Sequence, residues 1–386
     1  MFSQAGFRMH GLQLGKCVLL VSVCTVGASG CRPTTFLAAA AISQGAQWHA
    51  HGEESGRWTF NGLDPRVPPR IRPGSYATAT RSVHFVDATN LGPHSYRFHW
   101  SECNGIAYTC QGGHIDIAHL RKAADWTGYL AAVMLGHIER NEARFQFRAR
   151  EPSRYYVTLT FPPDWDRLDD LERERVARRV SRQLGQYFAF TALTWHEIIT
   201  WFGYRPRPNV SEFPSAFSWE DTYSNLLGVH VAGAALAQEG LPFSEAVTAI
   251  LAQKLHDLGG QSADVSREAA EALKGQWYCK EWLTTSVWKR NFDIGLADGY
   301  VTPTLVPGVS VCPSPQPQPL PVPTLDAIAE CGFSARVEIE ARVWEEKRIL
   351  QTLGRDTRKS TRRIDPVADF PGIMRYIEQD AVRLEK

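Results

Sequence analysis

The sequence predicts an α+β protein: a mostly helical core that carries β-hairpins and one late C-terminal strand. Three observations lead there. Two long segments, about Asp116–Arg140 and about Asp169–Phe202, place apolar residues at helical spacing. FQFRARE (145–151) and RYYVTLTF (154–161) alternate and read as a hairpin turning at Pro152-Ser153. A further alternating run, ARVEIEARVW (335–344), arrives late in the chain.

Taken in order, RSVHFVDA (81–88) and HSYRFHW (94–100) are expected as short strands. The first long helix then carries Leu120, Ala124, Thr127, Ala131 and Leu135 on its apolar side. The second begins charged and amphipathic and turns apolar through FAFTALTW, so its C-terminal half is expected to be buried. Ser218, with Asp221 three residues on, fits the start of a helix reaching about Gln238. Ser244 is expected to cap the next helix, which ends before Gly259-Gly260. Residues 302–325, TPTLVPGVSVCPSPQPQPLPVPTL, form a proline-rich extended crossing, and FPGIMRYIEQDAVRLEK closes the chain as a helix.

Of the 386 residues 44% are hydrophobic and 22% charged, enough chain and apolar content for a self-sufficient core. The 42 basic side chains nearly cancel the 41 acidic ones, so no global field recruits nucleic acid. The N-terminus reads as an address. Arg8, His10 and Lys16 precede CVLLVSVCTV (17–26), an apolar run too short to span a bilayer. Ala28-Ser29-Gly30-Cys31 follows and resembles the lipobox of bacterial lipoproteins, although Ala28 stands where that motif usually has Leu. The expected division is a signal peptide at 1–30, a tether and poorly structured arm at 31–75, and one globular domain at 76–386. Cys31 would carry the lipid and hold the chain to a membrane, facing the periplasm from the outer membrane; the alternative is an ordinary secretory signal cut nearby. Five cysteines remain: Cys103, Cys110, Cys279, Cys312 and Cys331. Export permits disulfides, and Cys103–Cys110 or Cys312–Cys331 are the pairings that spacing suggests.

Four passages, YTCQGGHIDIAHLRKAADWTGYL, LTWHEIITWFGY, SAFSWEDTYSNLLG and KRNFDIGLADGYVTPTLVPG, occur in that order within roughly residues 90–380. Together they resemble the bacterial family DUF4056, a domain of unknown function. That resemblance implies an exported, often lipid-anchored protein and brings no activity with it.

The candidate chemistry sits in the same passages. His114, Asp116, His119, Arg121 and Asp125 gather at the first helix start, with Asp116 and His119 sharing a face and Arg121 spaced to pair with Asp125. His196 and Glu197 lie deep in an apolar helix, where ionisable groups need partners. Glu220, Asp221 and Asn225 open another helix. His119, His196, Asp116 and Asp221 would suit a divalent metal such as zinc, with Glu197, His196 and His119 as the catalytic set. The stretch H-E-I-I-T begins like a zincin motif, but Thr200 replaces the second histidine, so that signature fails. Cys110, with His119 and His196 as bases, is a second candidate nucleophile unless a disulfide takes it. Asp293 and Asp298 read as a turn rather than a calcium loop. Two functions follow: a lipid-anchored envelope hydrolase, or a non-enzymatic envelope binding or assembly factor whose same residues form a buried structural network.

Overall fold

A computed structural model describes residues 56–70, 72, 84–205, 211–238, 240–280, 285–355 and 362–384. The segment expected as a signal peptide, with Cys31, lies outside the described residues. The molecule is α+β. Its centre is a hairpin feeding a helix: β1 (Ile106–Thr109) pairs antiparallel with β2 (Gly113–Asp116), which runs directly into α1 (Ile117–Glu139). Asp116 ends the strand and caps the helix, its Oδ1 accepting from the His119 N–H at 2.9 Å. α1 is buried on nearly every side, so it forms the axis of the core rather than an amphipathic cover.

β3 (Arg144–Arg148) and β4 (Arg154–Thr160) form the expected hairpin, with Arg148 opposite Arg154. α2 (Asp170–Trp201) follows, capped by Asp169 and buried through its C-terminal half. α3 (Asp221–Ala235) and α4 (Phe243–Asp257) complete the helical layer, and α5 (Ala263–Glu271) packs on the β1 hairpin. Glycines allow the close crossings. A Cβ at Gly185 would sit 2.8 Å from the Thr127 carbonyl oxygen, and one at Gly228 would collide with the Leu120 carbonyl. α2 and α3 can therefore press their backbones against α1, and this carries their polar side chains to its N-terminal end.

The short pair β5 (Tyr278–Lys280) with β6 (Thr285–Val287) precedes the proline-rich crossing, and β7 (Tyr300–Val301) pairs with β8 (Leu320–Pro321) within it. β9 (Ser334–Glu340) then joins β4, α6 (Glu346–Thr352) intervenes, and β10 (Arg363–Ile364) adds the last edge before α7 (Pro366–Leu384). The resulting sheet has the order β10-β9-β4-β3 and is antiparallel throughout. Trp195 donates to Ser153 Oγ at 2.9 Å and Ser153 donates to the Ala341 carbonyl at 2.7 Å, which locks α2 to the hairpin turn.

Several expectations change. Residues 84–100 form no extended strand, only a single bridge from Phe85 to Ile106. Arg97 and Phe98 both take φ of 71°, and the local polar groups turn inward to Glu102 and Asp125. Ser218 does not cap α3; its hydroxyl is taken up by two carboxylates, and Glu220 holds the cap position. Ser244 lies inside the first turn of α4, where its oxygen accepts from Tyr96 N–H. Part of the expected arm joins the core, because Trp58, Phe60 and Leu63 are buried against it. The spacing-based disulfides are wrong as well. Cys110 pairs with Cys312 across 202 residues, and Cys331 is a free thiol. Sequence neighbours were separated here because the crossing folds back over the β1–β2 turn, where Gln318 N–H also reaches the Gln111 carbonyl at 2.9 Å.

Candidate metal centre

Asp116, His119 and Asp221 come together where β2 becomes α1 and α3 begins. One ligand atom from each lies within 4.8 Å of the other two. His119 Nδ1 is 2.5 Å from Asp221 Oδ1 and 3.3 Å from Asp116 Oδ2. Yet none of these three atoms has a hydrogen-bond partner of good geometry. The three atoms lie close enough together to share one cation. Both aspartates are buried, while 21% of the His119 side chain is exposed, so the cluster opens on the histidine side.

The second oxygen of each acid is anchored by a neutral donor. Asp116 Oδ1 caps α1, and Asp221 Oδ2 lies 2.9 Å from Ser218 Oγ. Glu220 Oε1 shares that same hydroxyl at 2.8 Å, and Glu197 Oε2 accepts from the Phe217 N–H at 2.9 Å. One hydroxyl proton cannot serve two carboxylates, so Glu220 keeping its own proton resolves the geometry. Burial, together with Asp221 and Asp116, pushes Glu220 well above the usual carboxylate range. Burial and then Asp221 also raise Glu197. Asp221 moves down instead, since His119 and Lys122 outweigh its burial. His119 is raised: burial pulls it down, but Asp116 and Asp221 outweigh that pull. Asn225 lies one turn beyond Asp221 on α3 and leaves its Oδ1 unpartnered among the described residues.

The structure separates the other candidates from this cluster. His196 turns to the far side, with Nδ1 2.7 Å from Glu151 and Nε2 3.3 Å from Glu212. These acids overcome the effect of burial and raise His196 to about 9. His114 packs between Tyr108 and Trp219 and reaches the Ser266 carbonyl, and burial lowers it to about 4. Arg121 does not bridge to Asp125. Its guanidinium reaches Glu102 at 3.5 Å and donates to the Leu91 carbonyl, while Asp125 is taken by Arg72 and His94. Cys110 is in a disulfide, which removes it as a nucleophile. Asp293 and Asp298 accept from backbone N–H groups of Gly295, Thr302 and Tyr300, as turn residues do.

Lys122, Arg150, Glu151 and Glu212 were not singled out by sequence. Lys122 had a signal: it lies three residues after His119 on an otherwise buried helix and is itself buried. Glu151 and Glu212 had none, because a hairpin turn and a distant loop reach His196 only through the tertiary fold.

An α+β protein with a buried carboxylate–imidazole cluster at a strand–helix junction is what fold and site define. The chain belongs to the family described as protein of unknown function DUF4056, which matches residues 82–304, more than half of its length. All three cluster residues fall inside that span. No curated protein and no solved structure matches the chain.

Proposed function

We propose that this chain is an exported, lipid-anchored envelope protein that binds a divalent cation such as zinc at Asp116, His119 and Asp221 and uses it in hydrolysis. The observation that carries the reading is the convergence of three buried or half-buried ligand atoms, without good mutual hydrogen bonds, on one partly open point. Two carboxylates and one imidazole form a donor set that zinc accepts, with positions left for water and substrate. A cation there would act as a Lewis acid. Glu197 borders the cluster, and its carboxylate is the group suited to take a proton from an attacking water. Export is supported by the lipobox-like segment and by the Cys110–Cys312 disulfide, a bond that persists in oxidising compartments. His196 stands between Glu151 and Glu212, apart from the three cluster residues, which favours a structural role for it.

Elemental analysis of the purified protein tests the cation. The wild type is expected to hold about one equivalent of zinc after equilibration, and Asp221→Asn is expected to lose it. Without added metal the Asn variant should melt somewhat below the wild type, because His119 and Lys122 favour the Asp221 charge in the folded state. A wild type that retains no zinc or manganese, and whose melting temperature neither ion moves, would overturn the reading. The anchor is tested separately: Cys31→Ala should release the protein from membranes or block signal processing, and an unchanged mature mass and partition would refute it.

A further inference from the structure

Away from the acid cluster, a groove of about 880 Å³ lies between the N-terminal half of α2, the C-terminal end of α3, the start of α4 and residues 59–61. Sites for small molecules run from about 300 to 1,000 Å³, so this one has room for an organic ligand. Phe60, Leu236 and Phe243 give it an apolar wall, and Leu171 and Leu241 stand in its lining 79% and 44% exposed. Large apolar side chains left in water beside a groove favour an apolar occupant. Arg175, Arg178, Arg179 and Arg182 bring guanidinium groups to it from one face of α2, three and four residues apart. The acids of the lining are already used. Asp169 caps α2 by accepting from the Glu172 N–H at 2.8 Å, Glu172 pairs with Arg175 at 3.5 Å, and Glu174 accepts from Arg178 Nε at 2.9 Å. Arg179 turns to Glu330, an exposed partner. Arg182 is left over. It is partly buried and makes no hydrogen bond or ion pair among the described residues. Burial and then the Arg179 charge lower it below the usual guanidinium range, and no carboxylate offsets them.

We infer that this groove binds one anionic phospholipid, with the phosphate between Arg182 and Arg179 and an acyl chain along Phe60, Leu236 and Phe243. The wall calls for a chain and the guanidinium pair for a headgroup, and both belong to one groove. Two planar forks on neighbouring helical positions suit the several oxygens of a phosphate, each fork donating in parallel. Arg179 is free to turn inward, because its pairing with Glu330 is a surface ion pair and therefore weak. The source of the ligand is the membrane. Thr59 and Phe60, close to the first described residue, line the groove, and Arg57 reaches Asp170 at the start of α2 at 3.4 Å. The arm that leads back to Cys31 thus departs from this rim, and residues 31–55 can span at most about 90 Å. A lipid on Cys31 keeps the groove among phospholipids at a high effective concentration. The inference rests on the anchored reading in this one respect, the source of the ligand; the room and the charge of the groove do not depend on it.

Isothermal titration of the full chain with dihexanoylphosphatidylglycerol, below its micelle concentration, tests this, with inorganic phosphate, decanoate and octyl glucoside as the other probes. The phospholipid should bind at unit stoichiometry, and each of the other three about tenfold or more weakly, since each offers only part of what the groove holds. Arg182→Gln should weaken the phospholipid about tenfold or more. It should melt no lower than the wild type, because the lost guanidinium has no acid partner and is repelled by Arg179. Ala237→Trp, at an exposed position in the lining, fills the groove and should abolish binding with the fold intact. Phospholipid affinity unchanged in either variant would overturn the inference, and so would phosphate, decanoate or octyl glucoside binding as tightly as the phospholipid. Free lipid reaches the groove whether or not the chain is anchored. If Cys31→Ala leaves partition and mature mass unchanged while the wild type still takes the phospholipid through Arg182, the groove stands and the anchor alone fails.

Discussion

Helix α1 supports two ionic clusters built from similar residues and wired differently. On one side, Asp125 and Glu102 meet Arg72, Arg121 and His94, and the side chains of all five are fully buried. On the other, Asp221 lies close enough to act on Glu197 and Glu220, and Asp116 on Glu220, with His119, Lys122 and, at Glu197, His196 as the cations that reach these four acids. In the first cluster one guanidinium ties both acids together: Arg72 donates to Glu102 at 2.7 and 3.0 Å and to Asp125 at 2.5 Å. In the second, every carboxylate has one oxygen held by a neutral donor, and none receives a guanidinium or ammonium hydrogen bond. Cations balance acids in the first and fall short in the second. Burial alone does not distinguish the two clusters. The balance of charge does.

The comparison can be broken from either side. The largest effect should come from Arg72→Met, which strands two buried carboxylates and should cost about 3–5 kcal/mol in urea denaturation. The folded fraction should bind zinc as the wild type does. A cost below about 1 kcal/mol would show that the network is not structural.

An intermediate effect is expected from His196, whose two carboxylate partners place it with the structural cluster. Its folded value of about 9 lies above the ordinary 6.5, so the protonated form is favoured by folding. The stabilisation is therefore complete below about pH 6.5 and is lost as pH rises through 9, amounting to roughly 3 kcal/mol. Stability measured from pH 6 to 10 should fall for the wild type and stay flatter for His196→Gln. Parallel curves would remove His196 from the structural set.

The smallest effect separates Glu197 from both histidines. Glu197→Gln preserves volume and an acceptor for the Phe217 N–H, so its stability should stay within about 1 kcal/mol of the wild type. Glu197→Ala should cost several times more, because it leaves a cavity and orphans that N–H. A Gln variant destabilised by more than about 3 kcal/mol would mean that Glu197 is wired like Asp125, as a charge the fold requires.

The sequence by itself determined the elements whose signals are local. The apolar periodicity set both long helices to within a residue, and the alternation around Pro152-Ser153 set the hairpin to within about three, because side-chain spacing acts over one or two turns of chain. It also marked Asp116, His119, Asp221 and Glu197 as ionisable groups in apolar surroundings. Which of them meet was decided by the tertiary structure. Gly185 and Gly228 let α2 and α3 approach α1, and that approach brought Asp221 to His119 and sent His196 to Glu151. Adjacent helical residues point about 100° apart, so Glu197 and His196 had to face different neighbours. Arg121 went to Glu102 rather than to its helical neighbour Asp125, and Cys110 to Cys312 rather than to nearby Cys103. The common reason is that charge pairing and sulfur pairing depend on distance in space. Chain separation predicts that distance only where the backbone stays regular between the partners.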